Sequence, residues 1–410
     1  MSFKKNKWLI KAYLQAPWWL KMRLIGNYRH HHRYYKQPGT VGDIKNMLMC
    51  SLCPNMCRFD CPTSEAAKKE SGAPATRSKF AYYLEMNKLD GEAPDVVEDC
   101  ARYTWLCADC DGCNLWCPMN LSVGQLNHGL RADLVTRGIS PAFAAETNGV
   151  LDRTHNAFEQ VNFSSFAHDA PAPQVFYFIG CMTALNHPDV IQANFKLLDR
   201  AGVSFSTAIA ERWCCGAPAW VSGYRTTAEL HAKHNASLVK TLGAKIVLFD
   251  CPECLKTWTT YYPALGVSPN VQMLHSSEFF LQLLKQGKLV VKPLASKKLV
   301  TFHDPCVLGR KLAITQPPRD ILAFIKGVEL KEPFIRGRET HCCGYGGMLP
   351  YSWPEYAQII GVKRLEELGR TGARTIVTAC PSCETAFLKY DLNSEFEILD
   401  IAQILADAVE

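Results

Sequence analysis

The 410-residue chain has no apolar run near the roughly 18 residues that a bilayer-crossing helix needs. Its first residues carry neither a secretory apolar stretch nor a twin-arginine pair, so a cytoplasmic location is expected, with peripheral contact to a membrane left open. No G-x-G-x-x-G fingerprint occurs, so flavin or nicotinamide is expected on another subunit. Acidic residues are missing before Asp43, while Lys4, Lys5, Lys7, Lys11, Lys21, Arg23, Arg29, Arg33 and Lys36 precede it. Because the total charge is only +6, the remainder is net acidic, which speaks for a localised docking arm and against a nucleic-acid reader. With 48% hydrophobic and 20% charged residues, wholesale disorder and rod-like folds are excluded, and the length suggests two to three domains.

Cysteine, by contrast, is abundant, at 19 residues. An odd count in a compartment where disulfides do not persist makes metal ligation the default explanation. The chain divides into a basic aromatic arm (1–42), a region with two dense cysteine clusters (43–140), a polar linker ending in Ala-Pro-Ala-Pro (141–173), and two halves with widely spaced cysteines (174–290 and 291–410). The last two repeat each other. VFYFIGC ending at Cys181 matches LVTFHDPC ending at Cys306, WCCGAP matches HCCGYG, and AKIVLFDCPEC matches ARTIVTACPSC, each 125 to 129 residues further on. Apolar β-rich runs that end at cysteines, alternating with helical stretches, predict two α/β modules with mostly parallel sheets. Their ligands should gather beyond the carboxyl ends of the strands.

The front region holds CSLCPNMCRFDCP, with Cys50, Cys53, Cys57 and Cys61, and CADCDGCNLWCP, with Cys107, Cys110, Cys113 and Cys117. The second run has the bacterial ferredoxin spacing, in which the fourth cysteine, before proline, ligates the other cluster. By that resemblance one [4Fe-4S] cubane would use Cys50, Cys53, Cys57 and Cys117, and the other Cys107, Cys110, Cys113 and Cys61. The first run departs by one extra residue between Cys53 and Cys57. Zinc is the rival, but three cysteines plus one before proline is not the two-pair layout of a zinc ribbon. Helix-like intervening sequence predicts a helical module. Cys100 stands outside both runs and reads as structural.

Each rear half offers five thiols: Cys181, Cys214, Cys215, Cys251 and Cys254, then Cys306, Cys342, Cys343, Cys380 and Cys383. Five exceed the need of one zinc or one cubane. On these motifs residues 43–410 resemble the CCG-domain iron–sulfur oxidoreductases, a family that includes the fused iron–sulfur subunit of heterodisulfide reductase and the iron–sulfur subunits of glycolate oxidase and anaerobic glycerol-3-phosphate dehydrogenase. The resemblance implies an α+β multidomain chain, a helical two-cluster ferredoxin domain followed by two tandem α/β CCG domains. It implies a noncubane [4Fe-4S] cluster in each five-cysteine set, those ten residues carrying the catalysis. HDPCVLGR resembles the family's HDPCHLGR, with Val307 in place of a histidine. Gly216, Gly344, Gly346 and Gly347 either let backbone approach the clusters or serve tight turns. His303 and His341 either donate to cluster sulfur or sit in the core.

Trp8, Tyr13, Trp18, Trp19, Tyr28, Tyr34 and Tyr35 interleave with the cations of the arm, with Pro17 placed to open a short helix. The arm can pack on its own body, dock in a partner or lie on a membrane surface; His30, His31 and His32 read as part of an exposed basic tract. The expected function is an oxidoreductase subunit that takes electrons from a flavoprotein or iron–sulfur partner and performs thiol/disulfide chemistry at the CCG clusters. Its rivals are an electron conduit from a flavin-dependent dehydrogenase or electron-transfer flavoprotein to a quinone or membrane partner, and a zinc-stabilised scaffold.

Overall fold

A computed structural model describes residues 13–23, 25, 43–53, 55–86 and 94–409. Most of the arm, including Trp8, Tyr28, Tyr34, Tyr35 and His30 to His32, lies outside the described residues. Within it, positions 18–23 are helical after Pro17, and Leu14, Trp18, Trp19 and Met22 are exposed.

Between 43 and 136 the described regular structure is helical. Asp43 caps the helix Ile44–Ser51 by accepting from the Asn46 amide at 3.1 Å. That helix packs against Pro74–Glu85, and Val123–Thr136, capped by Ser122, closes the bundle over Leu84, Trp105 and Leu130. Cys100 is half-buried against the same cluster. The stretch that reads as a linker opens instead with a helix, Ala142–Thr154, entered through Pro141 and ended by His155 in the left-handed region (φ 56°).

The rear of the molecule contains two four-stranded parallel sheets. The first comprises β1 (Val175–Phe178), β2 (Phe205–Ser206), β3 (Ile246–Phe249) and β4 (Gln272–His275), in the order β2-β1-β3-β4. The second comprises β5 (Lys298–Phe302), β6 (Val328–Leu330), β7 (Thr375–Thr378) and β8 (Glu397–Asp400), in the order β6-β5-β7-β8. The two orders are the same, so the sequence repeat is a repeat of topology. Helices cover both faces, which is why central strands such as VFYF are buried at every position rather than at alternate ones. Registers such as Phe178↔Phe249 and Phe302↔Val377 bring the strand ends level, and Cys181, Cys251, Cys306 and Cys380 follow those ends within a few residues. All four cysteines lie where parallel sheets gather ligands.

Three units meet at one junction. The buried Arg131 guanidinium donates to Thr104 O at 2.8 Å, Val221 O at 3.0 Å and Gly347 O at 3.4 Å, one acceptor in the front unit and one in each rear module. Gly346 and Gly347 press onto the Ala108 and Cys107 carbonyls, where a Cβ would collide with backbone. Gly216 and Gly344 instead serve left-handed turns (φ 84° and 86°).

Glu85 is buried beside Asp133, with Arg137 Nη2 3.5 Å away. Burial first, then the Asp133 charge, pushes its carboxyl up to about 7, against an ordinary 4.5. A raised carboxyl favours the fold while protonated, so that stability is present below about 4.5 and is lost as pH rises through 7. Glu85→Gln should therefore raise the melting temperature at pH 8 and leave it nearly unchanged at pH 5, as differential scanning calorimetry at the two pH values would register.

Candidate functional site

All nineteen cysteines are free thiols, and eighteen of them fall into four groups. Cys50 closes the helix Ile44–Ser51, and Cys57 sits in the tight turn Met56–Phe59 after Asn55, whose left-handed φ of 66° takes up the extra residue of the first run. Cys50, Cys53, Cys57 and Cys117 share an apolar cavity of about 100 Å³ walled by Met56, Trp116 and Val123, and Cys113 reaches its edge as well as the hollow described next. Burial, with crowding by neighbouring thiols, pushes Cys50 up to about 11 and Cys57 up to about 12.

Cys61, Cys107, Cys110 and Cys113 converge around a second, smaller hollow. Left-handed turns at Asp109 (φ 50°) and Asp111 (φ 59°) curl the 107–113 loop around it. The Arg77 guanidinium is buried there, with Nη2 3.6 Å from Cys61 Sγ and Nη1 2.7 Å from Thr63 Oγ1. The fourth cysteine of each run thus stands with the first three of the other.

In the first rear module Cys254 Sγ lies 3.4 Å from Cys215 Sγ, and thiol hydrogen bonds join Cys181 to Cys214, Cys214 to Cys215 and Cys251 to Cys254. The adjacent pair is held by its backbone: His231 Nδ1 meets Cys214 O at 2.9 Å, Asn235 Nδ2 donates to it at 3.1 Å, and Tyr262 OH donates to Cys215 O at 3.0 Å. Arg212 reaches Cys181 Sγ at 3.4 Å from between the Phe163 and Phe178 rings.

The second module repeats the pattern with Cys306, Cys342, Cys343, Cys380 and Cys383. In both, the second member of the adjacent pair is central. Cys215 accepts from Cys214 and Cys254, which hold it at about 6, and Cys343 accepts from Cys342 and Cys383, which hold it well below the usual thiol range. His303 is fully buried beside the second set. Arg364 Nε donates to its Nδ1 at 3.2 Å, so Nε2 carries the proton, on a ring whose nitrogen lies within 4.8 Å of the Cys343 and Cys383 sulfurs. His341 turns to carboxylates instead, Glu367 at 2.8 Å and Asp60 at 3.5 Å.

The groups are linked. Cys110 accepts from Cys342, which holds it at about 6, so the second front group touches the second module. Cys251 of the first module lies close enough to Cys380 of the second to raise it. Between the modules opens a chamber of about 440 Å³ onto which Cys306, Cys343, Cys380 and Cys383 face, with Ala217, Pro218 and Glu253 of the first module opposite. Its outer wall comes from the helix Ala142–Thr154 and the following turn, a stretch whose sequence reads as linker.

Two stretches of the chain, residues 175–257 and 300–388, match the family model described as CCG, cysteine-rich domain. Both rear modules are thus similar to CCG cysteine-rich domains. It is 27% identical over 400 residues to a subunit of the dihydromethanophenazine:CoB–CoM heterodisulfide reductase of Methanosarcina barkeri, covering 90% of this chain and 96% of that one. It is 27% identical to the EtfAB:quinone oxidoreductase of Syntrophomonas wolfei over 84% of this chain and 52% of that longer protein. A crystal structure of a hypothetical protein from Helicobacter pylori superposes with a TM-score of 0.53 at 13% identity, over 81% of this chain and 67% of that one, a likeness of fold alone. The two named relatives are a heterodisulfide reductase subunit and a quinone oxidoreductase.

The donor sets suit iron–sulfur clusters. Each group gathers four or five thiols that no disulfide uses, all buried in the rear modules and partly so in the front unit, and Arg77 and Arg212 place permanent positive charge beside the sulfurs.

Asp109 fixes the approach of the three units. It is buried, with Lys311 Nζ of the second module at 2.9 Å, Lys256 Nζ of the first at 3.3 Å and His128 Nε2 of the front unit at 3.4 Å. Although burial opposes it, Lys256, Lys311 and His128 hold the carboxyl well below the usual range. Asp109→Asn removes the counter-ion shared by two buried ammonium groups, leaving Lys256 with Glu253 at 3.4 Å and Lys311 with Asp111 at 4.0 Å, and should cost about 3–5 kcal/mol in urea unfolding. Adding Lys311→Met should recover part of that loss.

Proposed function

We propose that this chain is the iron–sulfur subunit of a heterodisulfide-reductase-like enzyme, carrying electrons from a flavoprotein or iron–sulfur donor to a disulfide that it reduces to two thiols. Cys50, Cys53, Cys57 and Cys117 would hold one [4Fe-4S] cubane, and Cys61, Cys107, Cys110 and Cys113 the other. The sets Cys181, Cys214, Cys215, Cys251, Cys254 and Cys306, Cys342, Cys343, Cys380, Cys383 would each hold a noncubane cluster. Bound clusters supply one-electron storage, and two such centres satisfy the balance R–S–S–R + 2 e⁻ + 2 H⁺ → 2 R–SH.

The chamber carries this reading. A conduit has no need of a 440 Å³ recess onto which Cys306, Cys343, Cys380 and Cys383 of the second module open, whereas a substrate that must meet those thiols does; among the described residues the first module lends the recess no cysteine, only neighbours of its thiols such as Met182, Ala217 and Glu253. The Glu253 carboxylate and Tyr345 hydroxyl stand on its wall to relay the two protons. Cys110 and Cys342 line one pocket, so charge from the front unit would enter the second module first.

A second reading, a conduit from an electron-transfer flavoprotein to a quinone, is favoured by the Syntrophomonas relative. Trp18, Trp19 and Met22, exposed beside Lys21 and Arg23, suit docking of the arm on a partner or on the cytoplasmic face of a membrane. No helix among the described residues is long and apolar enough to cross one.

Anaerobic electron paramagnetic resonance during titration with thiols and quinols, with iron counted in parallel, separates the readings. Four four-iron clusters correspond to about 16 iron atoms per chain. A thiol-dependent signal that is lost in Cys343→Ala, with about four irons lost, supports the reductase. Reduction by quinol with no response to any thiol establishes the conduit, and a colourless zinc protein refutes both.

A further inference from the structure

The chamber between the modules has a one-sided chemistry. Carboxylates of Asp109, Glu146, Glu159 and Glu253 line it, and no lysine, arginine or histidine does among the described residues. The nearby cations are already committed. Lys256 serves Asp109 at 3.3 Å and Glu253 at 3.4 Å, Lys311 serves Asp109 at 2.9 Å, and Arg153 serves Glu159 at 2.5 Å. Glu146 has no ion-pair partner among the described residues and stands exposed at the rim. Much of the remaining wall is apolar, including Phe143, Phe158 and Met348.

An anionic group entering this space would give up hydration and meet carboxylates, hydrocarbon and a few neutral donors such as Thr147, Gln160 and Ser382, but no side-chain cation among the described residues. A substrate that bears carboxylates, sulfonates or phosphates needs a cation facing it, and none is supplied. We propose that the chamber selects an uncharged, largely apolar disulfide and rejects anionic ones, with Glu146 and Glu159 as specificity-determining residues at its rim. Its volume suits a small to medium organic molecule. The inference rests on the disulfide-reductase reading and names the substrate class of that same site.

The test measures binding rather than turnover, on the oxidised holoprotein by anaerobic equilibrium dialysis. Dibenzyl disulfide and its bis(para-carboxylate) form a pair differing only in charge, and duroquinone serves as an uncharged probe without sulfur. The neutral disulfide should bind at least about tenfold more tightly than the dicarboxylate. Glu146→Lys combined with Glu159→Gln should narrow that ratio at least about threefold with iron content unchanged. Thr147→Trp, which fills the chamber from the outer helix at a distance in sequence from every cysteine, should abolish binding of the neutral probe with iron retained. Equal or tighter binding of the dicarboxylate overturns the selectivity and leaves the reductase reading standing. Binding of duroquinone but of neither disulfide overturns both. Failure of all three probes, or binding unaffected by Thr147→Trp, overturns the assignment of the chamber.

Discussion

A single carboxylate sets the geometry on which the remaining features depend. Asp109 sits between two cysteines of the front unit and is gripped by one lysine from each rear module. In a buried setting those attractions are weakly screened, so the three units are held at short range rather than loosely tethered. Arg131 repeats the logic with carbonyl acceptors, and Gly346 and Gly347 allow the backbone contact that both require. The closeness of Cys110 to Cys342 follows from this arrangement.

The duplicated modules are alike in topology and unlike in the charge around their thiols. Arg212 leans on Cys181 in the first, whereas His303, oriented by Arg364, faces Cys343 and Cys383 in the second. A permanent guanidinium and an imidazole N–H stabilise negative charge on sulfur to different degrees, so two thiol sets with the same sequence pattern sit in different electrostatic surroundings. The module whose Cys342 shares a pocket with Cys110 is the one with the histidine.

Much of the architecture is legible in the chain itself. Strand-forming runs that stop at cysteines mark β1, β3, β5 and β7 almost to the residue, because a parallel strand covered on both faces is apolar throughout. The 125 to 129-residue repeat announces two equal sheets. The 141–173 stretch misleads because its Pro- and Ala-rich end masks the helix Ala142–Thr154, whose apolar residues answer to a chamber rather than to a core of their own.

Ligand identity is a sequence property: short spacings such as C-x-x-C and Cys-Cys-Gly confine their thiols to a few ångströms whatever else the chain does. What the sequence could not decide was everything that joins positions far apart. Arg77 beside Cys61, Lys256 and Lys311 meeting at Asp109, and Cys251 approaching Cys380 are all pairings across tens to hundreds of residues. No local periodicity records them, since a salt bridge or a cavity wall depends on which surfaces the packed units bring together, and only the tertiary structure fixes that.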